Sequence, residues 1–350
     1  MDRTTSNKFG EGTLYQIEDL KGSIYFECAA CMSLYAEALS WANAHPDRIV
    51  KTALEADNIV MISCQVTDLA VLNDLRRLEA IKKEREARDS KHNYYICGCL
   101  ARRFDIELPD GLLRLDHVRE DYQWINDRSL VTFAPPFWVP NFDNEVRGRL
   151  EDGYRMRDQY PLRIGVGCTN QCSYCTIRVT RGTPYRLDGK RLVEEFMHFD
   201  NVVLVSDSPK PSQIKWWSSI ALAENKRISI RNVEPWVALK SWDSLEELST
   251  HSLLDTLHVP VQSVNPDVLR KMGRDPDSTL HFIARAQLLR EFSHVITNII
   301  IEDSHRAPDI DCVEKLFDSV AWNPMWDGTW DREKAAERFK RYFPWSKGNE

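Results

Sequence analysis

Three cysteines on one short segment could bind a metal cluster. Cys168, Cys172 and Cys175 have the spacing C-x3-C-x2-C and follow directly on the apolar run 162–166. Three thiolates at this spacing can each bind one iron of a [4Fe–4S] cube, which leaves the fourth iron without a protein ligand. An iron that is open in this way can be chelated by a small molecule. The segment therefore predicts a cluster that takes part in chemistry.

A zinc knuckle is the alternative for the same cysteines. Zinc in structural sites takes a fourth nitrogen or sulfur ligand, and no fourth Cys or His lies on this segment. The spacing, with aromatic Tyr174 just before the last cysteine, resembles the cluster loop of radical S-adenosylmethionine (SAM) enzymes. That resemblance implies a [4Fe–4S] cluster with SAM bound to its open iron, and a partial (β/α)6 barrel around them.

Length, charge and composition set limits on the class of protein. A chain of 350 residues favours two domains, and its net charge of −7 gives no general attraction to nucleic acid. No apolar run approaches the roughly 20 residues of a membrane helix. The polar residues 1–8 do not resemble a signal peptide, so we expect a cytoplasmic protein without membrane contact. In that compartment, the nine cysteines are expected to be metal ligands more readily than disulfides.

Three further cysteines follow predicted strands in the N-terminal part. The apolar runs 24–26, 59–62 and 94–96 predict strands of an open α/β domain. Ligands collect at the carboxyl ends of the strands in such a sheet, so cysteines about 30 residues apart can converge there. The cysteines concerned are Cys31, Cys64 and Cys99.

Buried core positions are the alternative for these cysteines, because free cysteine is often buried. Cys28 and Cys97 each lie two or three residues before a better candidate, and we expect them to be structural. Cys28 could nevertheless replace Cys31 as a ligand.

The segments around these cysteines resemble three motifs of the radical SAM methylthiotransferases, which modify tRNA adenosines or a ribosomal-protein aspartate. The resemblance implies that Cys31, Cys64 and Cys99 bind an auxiliary [4Fe–4S] cluster, which in the family is thought to supply sulfur. The matching segments are Ala30-Cys31-Met32-Ser33-Leu34, Ile62-Ser63-Cys64-Gln65-Val66 and Cys97-Gly98-Cys99-Leu100-Ala101. The first match lacks the family's glycine and asparagine.

The second half of the chain alternates apolar runs with amphipathic stretches. The runs after 162–166 are 202–205, 228–231, 257–261 and 295–301, which predicts a parallel sheet with helices outside it. The sixth strand of a six-unit partial barrel is not evident. We therefore expect an α/β protein whose successive segments are an auxiliary-cluster domain at 20–107, a linker at 108–160, a radical SAM core at 161–310 and a helical, Trp-rich extension at 311–350.

Residues that follow the predicted strands are candidate contacts to SAM, because function in barrels sits at those strand ends. By resemblance to family motifs, Asp207, Gln262 and Arg274 are carried over as SAM contacts. Arg231 is a further candidate, and an ion pair between Arg231 and Glu234 is its alternative. The family's TRG motif matches Thr180-Arg181-Gly182.

The resemblance implies an enzyme that inserts sulfur into a carbon centre. The family's C-terminal RNA- or protein-gripping barrel is not recognisable at 311–350, and the net charge is negative. We therefore expect a small-molecule or nucleoside substrate, as in natural-product biosynthesis, with an electron donor such as flavodoxin or ferredoxin. The alternatives are a methylthiotransferase acting on tRNA or protein, a second cluster that only transfers electrons, and a non-catalytic iron–sulfur protein.

Overall fold

The computed structural model describes residues 3–7, 9–28, 32–63, 78–83, 86, 93–118, 132–133, 159–182, 184–187, 189–301, 310–324, 334 and 337. The chain is divided into two compact units. The first comprises the described part of residues 1–138 together with 179–182, and the second comprises most of the remaining described residues.

In its described residues the first unit contains strands, helical segments and short 3-10 turns. Its regular elements are β1 (Arg3–Asn7), β2 (Gly10–Leu14), β3 (Ile24–Cys28), α1 (Met32–Ala44), β4 (Asn58–Ser63), β5 (Asn93–Gly98), β6 (Leu112–Arg114) and β7 (Thr132–Phe133). β1 and β2 pair antiparallel, whereas the other five strands form one parallel sheet in the order β6-β5-β4-β3-β7. This confirms the three strands predicted before the N-terminal cysteines.

The core of the first unit forms where apolar strand residues meet α1. Phe26 of β3 and Trp41 of α1 are buried, and their rings meet edge to face at 5.8 Å between centroids. Both faces of β4 are buried, which explains its continuous apolar sequence. Burial on both faces is typical of a central strand in a parallel sheet covered by helices.

The central strands of this sheet end at the same level. Ser63, the last residue of β4, is the register partner of Gly98, the last residue of β5. Cys28, the last residue of β3, pairs with Ile62. The residues directly before Cys64 and Cys99 are therefore neighbours across the sheet, at its carboxyl edge.

The second unit alternates strands and helices. Its elements are β8 (Tyr160–Val166), α2 (Ile177–Thr180), β9 (Tyr185–Arg186), α3 (Gly189–His198), β10 (Val202–Ser206), α4 (Pro211–Ala223), β11 (Ile228–Ile230), α5 (Pro235–Lys240), α6 (Trp242–Thr250), β12 (Leu254–His258), α7 (Pro266–Lys271), α8 (Pro276–Arg290), β13 (His294–Ile301), α9 (Ile310–Leu316) and β14 (Ser319–Pro324).

Six parallel strands form the main sheet of the second unit, in the order β14-β13-β12-β11-β10-β8. β9 adds to the β8 edge antiparallel. Within the described residues β9 and β14 are edge strands, so the sheet has the open form of a partial barrel. The helices that alternate with the strands bury apolar side chains such as Leu245, Phe282 and Leu289.

Two details of this sheet differ from the sequence prediction. The strand expected at 257–261 begins three residues earlier and ends at His258. The sixth strand is β14, which lies in the range where only helices are expected and pairs with β13 from Ile296↔Ser319 to Ile301↔Pro324. Its sequence, SVAWNP, has an apolar run of only three residues, followed by Asn323 and Pro324, and its place is fixed by pairing with β13.

Candidate metal centre

The cysteine loop runs from the end of β8 to the start of α2. Cys168 is buried, Cys172 and Cys175 are half-buried, and all three are in the reduced thiol form. The Cys175 N–H donates to the Cys172 carbonyl at 3.2 Å, and the Ser173 N–H donates to the Met272 carbonyl at 3.0 Å. The loop is therefore held both by its own turn and by the segment that follows α7.

Gly273 allows that segment to come close to the loop. Its φ of +71° lies in the left-handed region, and a Cβ at this position would be 3.1 Å from the Gln171 carbonyl oxygen. A side chain here would push the two backbones apart. The glycine explains how the loop and the end of α7 can be joined by a backbone hydrogen bond.

The three thiols do not form a site for a single ion. Among the residues with described side chains, no group of three or more His, Cys, Asp and Glu could hold one metal ion. A zinc knuckle would need its ligands around one ion, whereas an iron–sulfur cube takes one thiolate for each of three irons. The donor chemistry and spacing of these three thiols therefore fit a cube with an open iron better than zinc.

The start of the loop is fixed by the residues after β10. Asp207 accepts a hydrogen bond from the Gly167 N–H at 2.7 Å. Burial raises the pKa of the Cys168 thiol, against hydrogen bonds from the Asn170 N–H, 3.3 Å from Sγ, and the Ser208 side chain. Asp207, expected to contact SAM, thus holds the loop backbone, and Ser208 is a neighbour of the cluster ligand that the sequence analysis did not single out.

Arg274 links the loop to two strand ends. Its Nη2 donates to the Pro260 carbonyl at 2.7 Å and lies 2.6 Å from a Glu234 carboxylate oxygen. Its Nη1 donates to the Tyr174 hydroxyl at 3.2 Å and lies 3.9 Å from Cys172 Sγ. Both terminal nitrogens of this residue, expected to contact SAM, are therefore engaged by the protein.

The side chains around Arg274 shift one another's pKa values, which keeps Arg274 charged and Tyr174 neutral. Burial acts to lower the pKa of Arg274, but the neighbouring Tyr174, Glu234 and Cys172 groups outweigh it and raise that pKa. Burial raises the pKa of the Tyr174 hydroxyl well above its ordinary value, so this phenol is neutral. The ion pair that the sequence left open for Glu234 is formed, in the described part of the chain, with Arg274.

His258 and Gln262 bury polar atoms near the end of β12. His258 Nδ1 accepts from the Asn232 N–H at 3.3 Å, which places the proton of the neutral ring on Nε2. Burial and the nearby Arg231 lower the pKa of His258 to about 3, against a small upward effect of Asn298. Among the described residues, His258 Nε2 has no hydrogen bond of good geometry.

Gln262 has both a strained backbone and an unsatisfied side chain. Its φ of +68° is uncommon for a residue other than glycine. Its N–H donates to the Asn298 carbonyl, and its carbonyl accepts from the Ile300 N–H, both in β13. Its Oε1 is buried and lacks a hydrogen-bond donor in the described part of the molecule. A buried acceptor left in this state is costly, and strain of this kind concentrates at ligand sites. Gln262 Oε1 is therefore an acceptor that the described residues leave available.

The cysteines of the first unit have different environments. Cys97 is buried and donates its thiol hydrogen to the Asp116 carbonyl at 3.1 Å, while burial raises its pKa further. Cys28 is fully buried at the end of β3, and Cys99 is buried in the turn after β5. Cys31 and Cys64 lie outside the described residues, so the convergence predicted for Cys31, Cys64 and Cys99 stays a prediction.

The TRG motif belongs to the first unit. Arg181 forms a buried ion pair with Glu37 through Nη1, which also lies 3.1 Å from His117 Nδ1. The His117 Nε2 in turn lies 2.9 Å from the Thr180 carbonyl. Burial and Arg181 lower the pKa of His117, so the ring is neutral beside the arginine. The contacts of the motif named here thus all lie within the first unit.

Residues 162–302 match the family model of the Radical SAM superfamily. The matched range begins in β8, contains the cysteine loop and ends beside β13. The fold and the cysteine loop therefore define a radical SAM domain. Curated relatives that are named as tRNA or ribosomal-protein methylthiotransferases support a radical SAM methylthiotransferase-like family.

Several curated proteins are similar over most of the chain. The "Probable threonylcarbamoyladenosine tRNA methylthiotransferase" of Pyrococcus horikoshii is 24% identical over 72% of this chain and 62% of its own length. "Ribosomal protein uS12 methylthiotransferase RimO" of Carboxydothermus hydrogenoformans is 24% identical over 64% of this chain and 54% of its own length. The chain thus spans little more than half of the length of these relatives.

Solved structures with similar backbones include the cobalamin-dependent SAM radical enzyme OxsB, at 10% identity, a TM-score of 0.42 and coverage of 81% of this chain and 51% of that chain. Methylornithine synthase (PylB) has 16% identity, a TM-score of 0.33 and coverage of 56% of this chain and 66% of that chain.

Within the described residues, no helix has the length and apolar character to cross a bilayer.

Proposed function

We propose that this chain is a radical SAM enzyme with two [4Fe–4S] clusters that inserts sulfur into a carbon centre of a small molecule or nucleoside. One observation carries the proposal: two separate cysteine sets, the first on the loop of a matched radical SAM domain and the second following three adjacent parallel strands. The sets are Cys168, Cys172, Cys175 and Cys31, Cys64, Cys99.

The first set would hold the cluster that binds SAM. When bound and reduced, this cluster supplies the electron that splits SAM and generates the radical that abstracts a hydrogen atom from the substrate. The protein's part is to hold the loop, through Asp207 on Gly167 and Arg274 on the Cys172 side. Gln262 offers SAM a buried acceptor. Arg231, which is also buried, follows β11, the strand before β12 in the chain.

The second set would hold the auxiliary cluster, as the source of sulfur. Support comes from the level strand ends, because the residues before Cys64 and Cys99 are register partners. The electron donor would be a small reductant such as flavodoxin or ferredoxin, and a reducing compartment such as the cytoplasm suits both clusters. An iron count separates this arrangement from a single-cluster enzyme.

The negative charge of the chain supports a small-molecule or nucleoside substrate. The chain has 53 acidic against 46 basic residues, whereas RNA affinity rests on clustered lysine and arginine. The alternative is a methylthiotransferase acting on tRNA or protein, and it is supported by the names of the relatives. Filter binding to total tRNA at physiological salt tests the tRNA form of this alternative, and sub-micromolar affinity would favour it.

Anaerobic reconstitution tests the two cysteine sets directly. The wild-type chain should bind about eight irons, and replacement of Cys168, Cys172 and Cys175 by Ala should remove about four and abolish SAM cleavage. Replacement of Cys31, Cys64 and Cys99 should remove the other four but leave SAM cleavage detectable. Mass spectrometry of products should show added sulfur only with both sets intact. A wild-type count near four irons would contradict the second cluster.

A further inference from the structure

Arg274 occupies a position that its sequence motif does not explain. Its side chain is only 4% exposed, and its guanidinium joins three parts of the second unit. These are the cysteine loop, through Cys172 and Tyr174, the start of α5, through Glu234, and the segment after β12, through Pro260.

We propose that Arg274 is a positioning residue for the cluster loop and that its charge raises the reduction potential of the cluster held there. The proposal rests on the proposed function only in requiring that Cys172 binds a redox-active cluster. It differs from the role expected from the family motif, which was contact with SAM.

The geometry explains the first part of this role. A planar guanidinium presents several donors in fixed directions, so it can join groups that no single lysine ammonium would orient together. Tyr174 lies two residues after Cys172, and both face the Nη1 nitrogen of Arg274. Removal of Arg274 would leave Glu234 buried to 86% of its side chain without its cation and would release the loop from the β12 end.

The charge explains the second part. Reduction adds one negative charge to a cluster, and cluster potentials respond to nearby charge and to hydrogen bonds at the ligand sulfurs. The cation lies 3.9 Å from Cys172 Sγ and favours the reduced state. Glu234 opposes this effect, because its carboxylate lies 2.6 Å from Arg274 Nη2 and offsets the positive charge beside Cys172. The two partners should therefore shift the potential in opposite directions.

The test is an EPR redox titration of the anaerobically reconstituted full-length chain. The signal that changes on addition of SAM reports the cluster at Cys168, Cys172 and Cys175. In R274Q, the equilibrium constant for reduction should fall at least tenfold, which is 59 mV for a one-electron couple. R274K should fall less, because the charge remains, and E234Q should shift the potential upward.

Arg270 provides the matched control. It lies four residues earlier, its side chain is 61% exposed, and it pairs with Asp267 on the surface. R270Q should leave both the potential and the SAM-dependent spectral change as in the wild type. If R274Q binds too little iron to titrate, E234Q still tests the sign.

Two outcomes would overturn the proposal. One is an R274Q cluster with unchanged potential, whether or not SAM affinity falls, and a fall would assign Arg274 to SAM. The other is an E234Q cluster whose potential moves down. A wild-type chain without any SAM-sensitive signal would instead contradict the proposed function.

Discussion

Gly98 should be the most sensitive glycine of the first unit. It lies between Cys97 and Cys99, and its φ of +91° and ψ of −157° fall in a region that is essentially restricted to glycine. A Cβ there would be 2.7 Å from the Ser63 carbonyl oxygen and 3.2 Å from Leu34 Cδ1. Because Ser63 is the register partner of Gly98, the closest contact is with the neighbouring strand itself.

The cost of Gly98→Ala has two parts. The backbone conformation costs about 1 to 3 kcal/mol for a residue with a Cβ. The contact with a backbone oxygen of β4 cannot be relieved by a side-chain rotation, and overpacking of this kind costs about 1 to 3 kcal/mol more. The expected loss of stability is therefore about 2 to 6 kcal/mol at the β4–β5 pair.

Gly111→Ala separates these two parts. Gly111 is in the same unit with φ of +77°, but the nearest atom to its Cβ would be the flexible Lys82 Nζ at an ordinary 3.6 Å. It should cost only the backbone part, about 1 to 2 kcal/mol.

Hydrogen exchange by mass spectrometry should show this difference locally. In Gly98→Ala, peptides that cover 58–63 and 93–98 should lose protection at least 30-fold, or about 2 kcal/mol. On the proposed function, the iron count assigned to Cys31, Cys64 and Cys99 should also fall, whereas Gly111→Ala should retain both. Equal protection and iron content in the two variants would refute the reasoning that the strand ends need this glycine.

Other predictions concern the second unit. Because the pKa of His258 is about 3 when folded and 6.5 in the reference state, the unfolded chain binds the extra proton between these values. Stability should therefore fall by about 1.2 kcal/mol from pH 7 to pH 5.5, measured by urea unfolding, and H258N should remove that part. Lys226 Nζ donates to three carbonyls at the end of α3, so K226M should cost about 1 to 2 kcal/mol in thermal unfolding, unlike the exposed control K215M. Q262G should relieve the backbone strain, stabilising the unit by up to about 1 kcal/mol, and yet weaken SAM binding about tenfold by equilibrium dialysis; unchanged SAM affinity would remove Gln262 from the cofactor site.

The strands that could be predicted from the sequence are those in which consecutive residues are apolar because every position is buried. β4 and β10 are buried at every position, and their apolar runs therefore stand out from the polar turns that bound them. β14 has the sequence SVAWNP, and only its pairing with β13 makes it a strand. Its Trp322 donates weakly to Glu314 at 3.4 Å. Pairing between distant segments is not visible in local sequence.

The cysteine loop could be predicted for a similar reason. The three cysteines predicted to bind one cluster lie within eight residues, because ligands on one loop need this spacing in the sequence itself. The loop's supports come from elsewhere: Asp207 is about 40 residues away, and Met272 and Arg274 about 100. Contacts over such separations depend on how the barrel closes.

The state of each polar group separates the residues that the sequence assigned together to SAM. The side chains of Asp207 and Arg274 already form hydrogen bonds with the cysteine loop, and these bonds help to fix the position of the loop. Gln262 differs, because its buried Oε1 lacks a donor within the described structure while its backbone holds a strained conformation. A protein retains such a combined cost where a ligand removes part of it. Among the SAM contacts carried over from the family motifs, Gln262 is therefore the one with an available acceptor in the described structure, whereas Asp207 and Arg274 hold the cysteine loop.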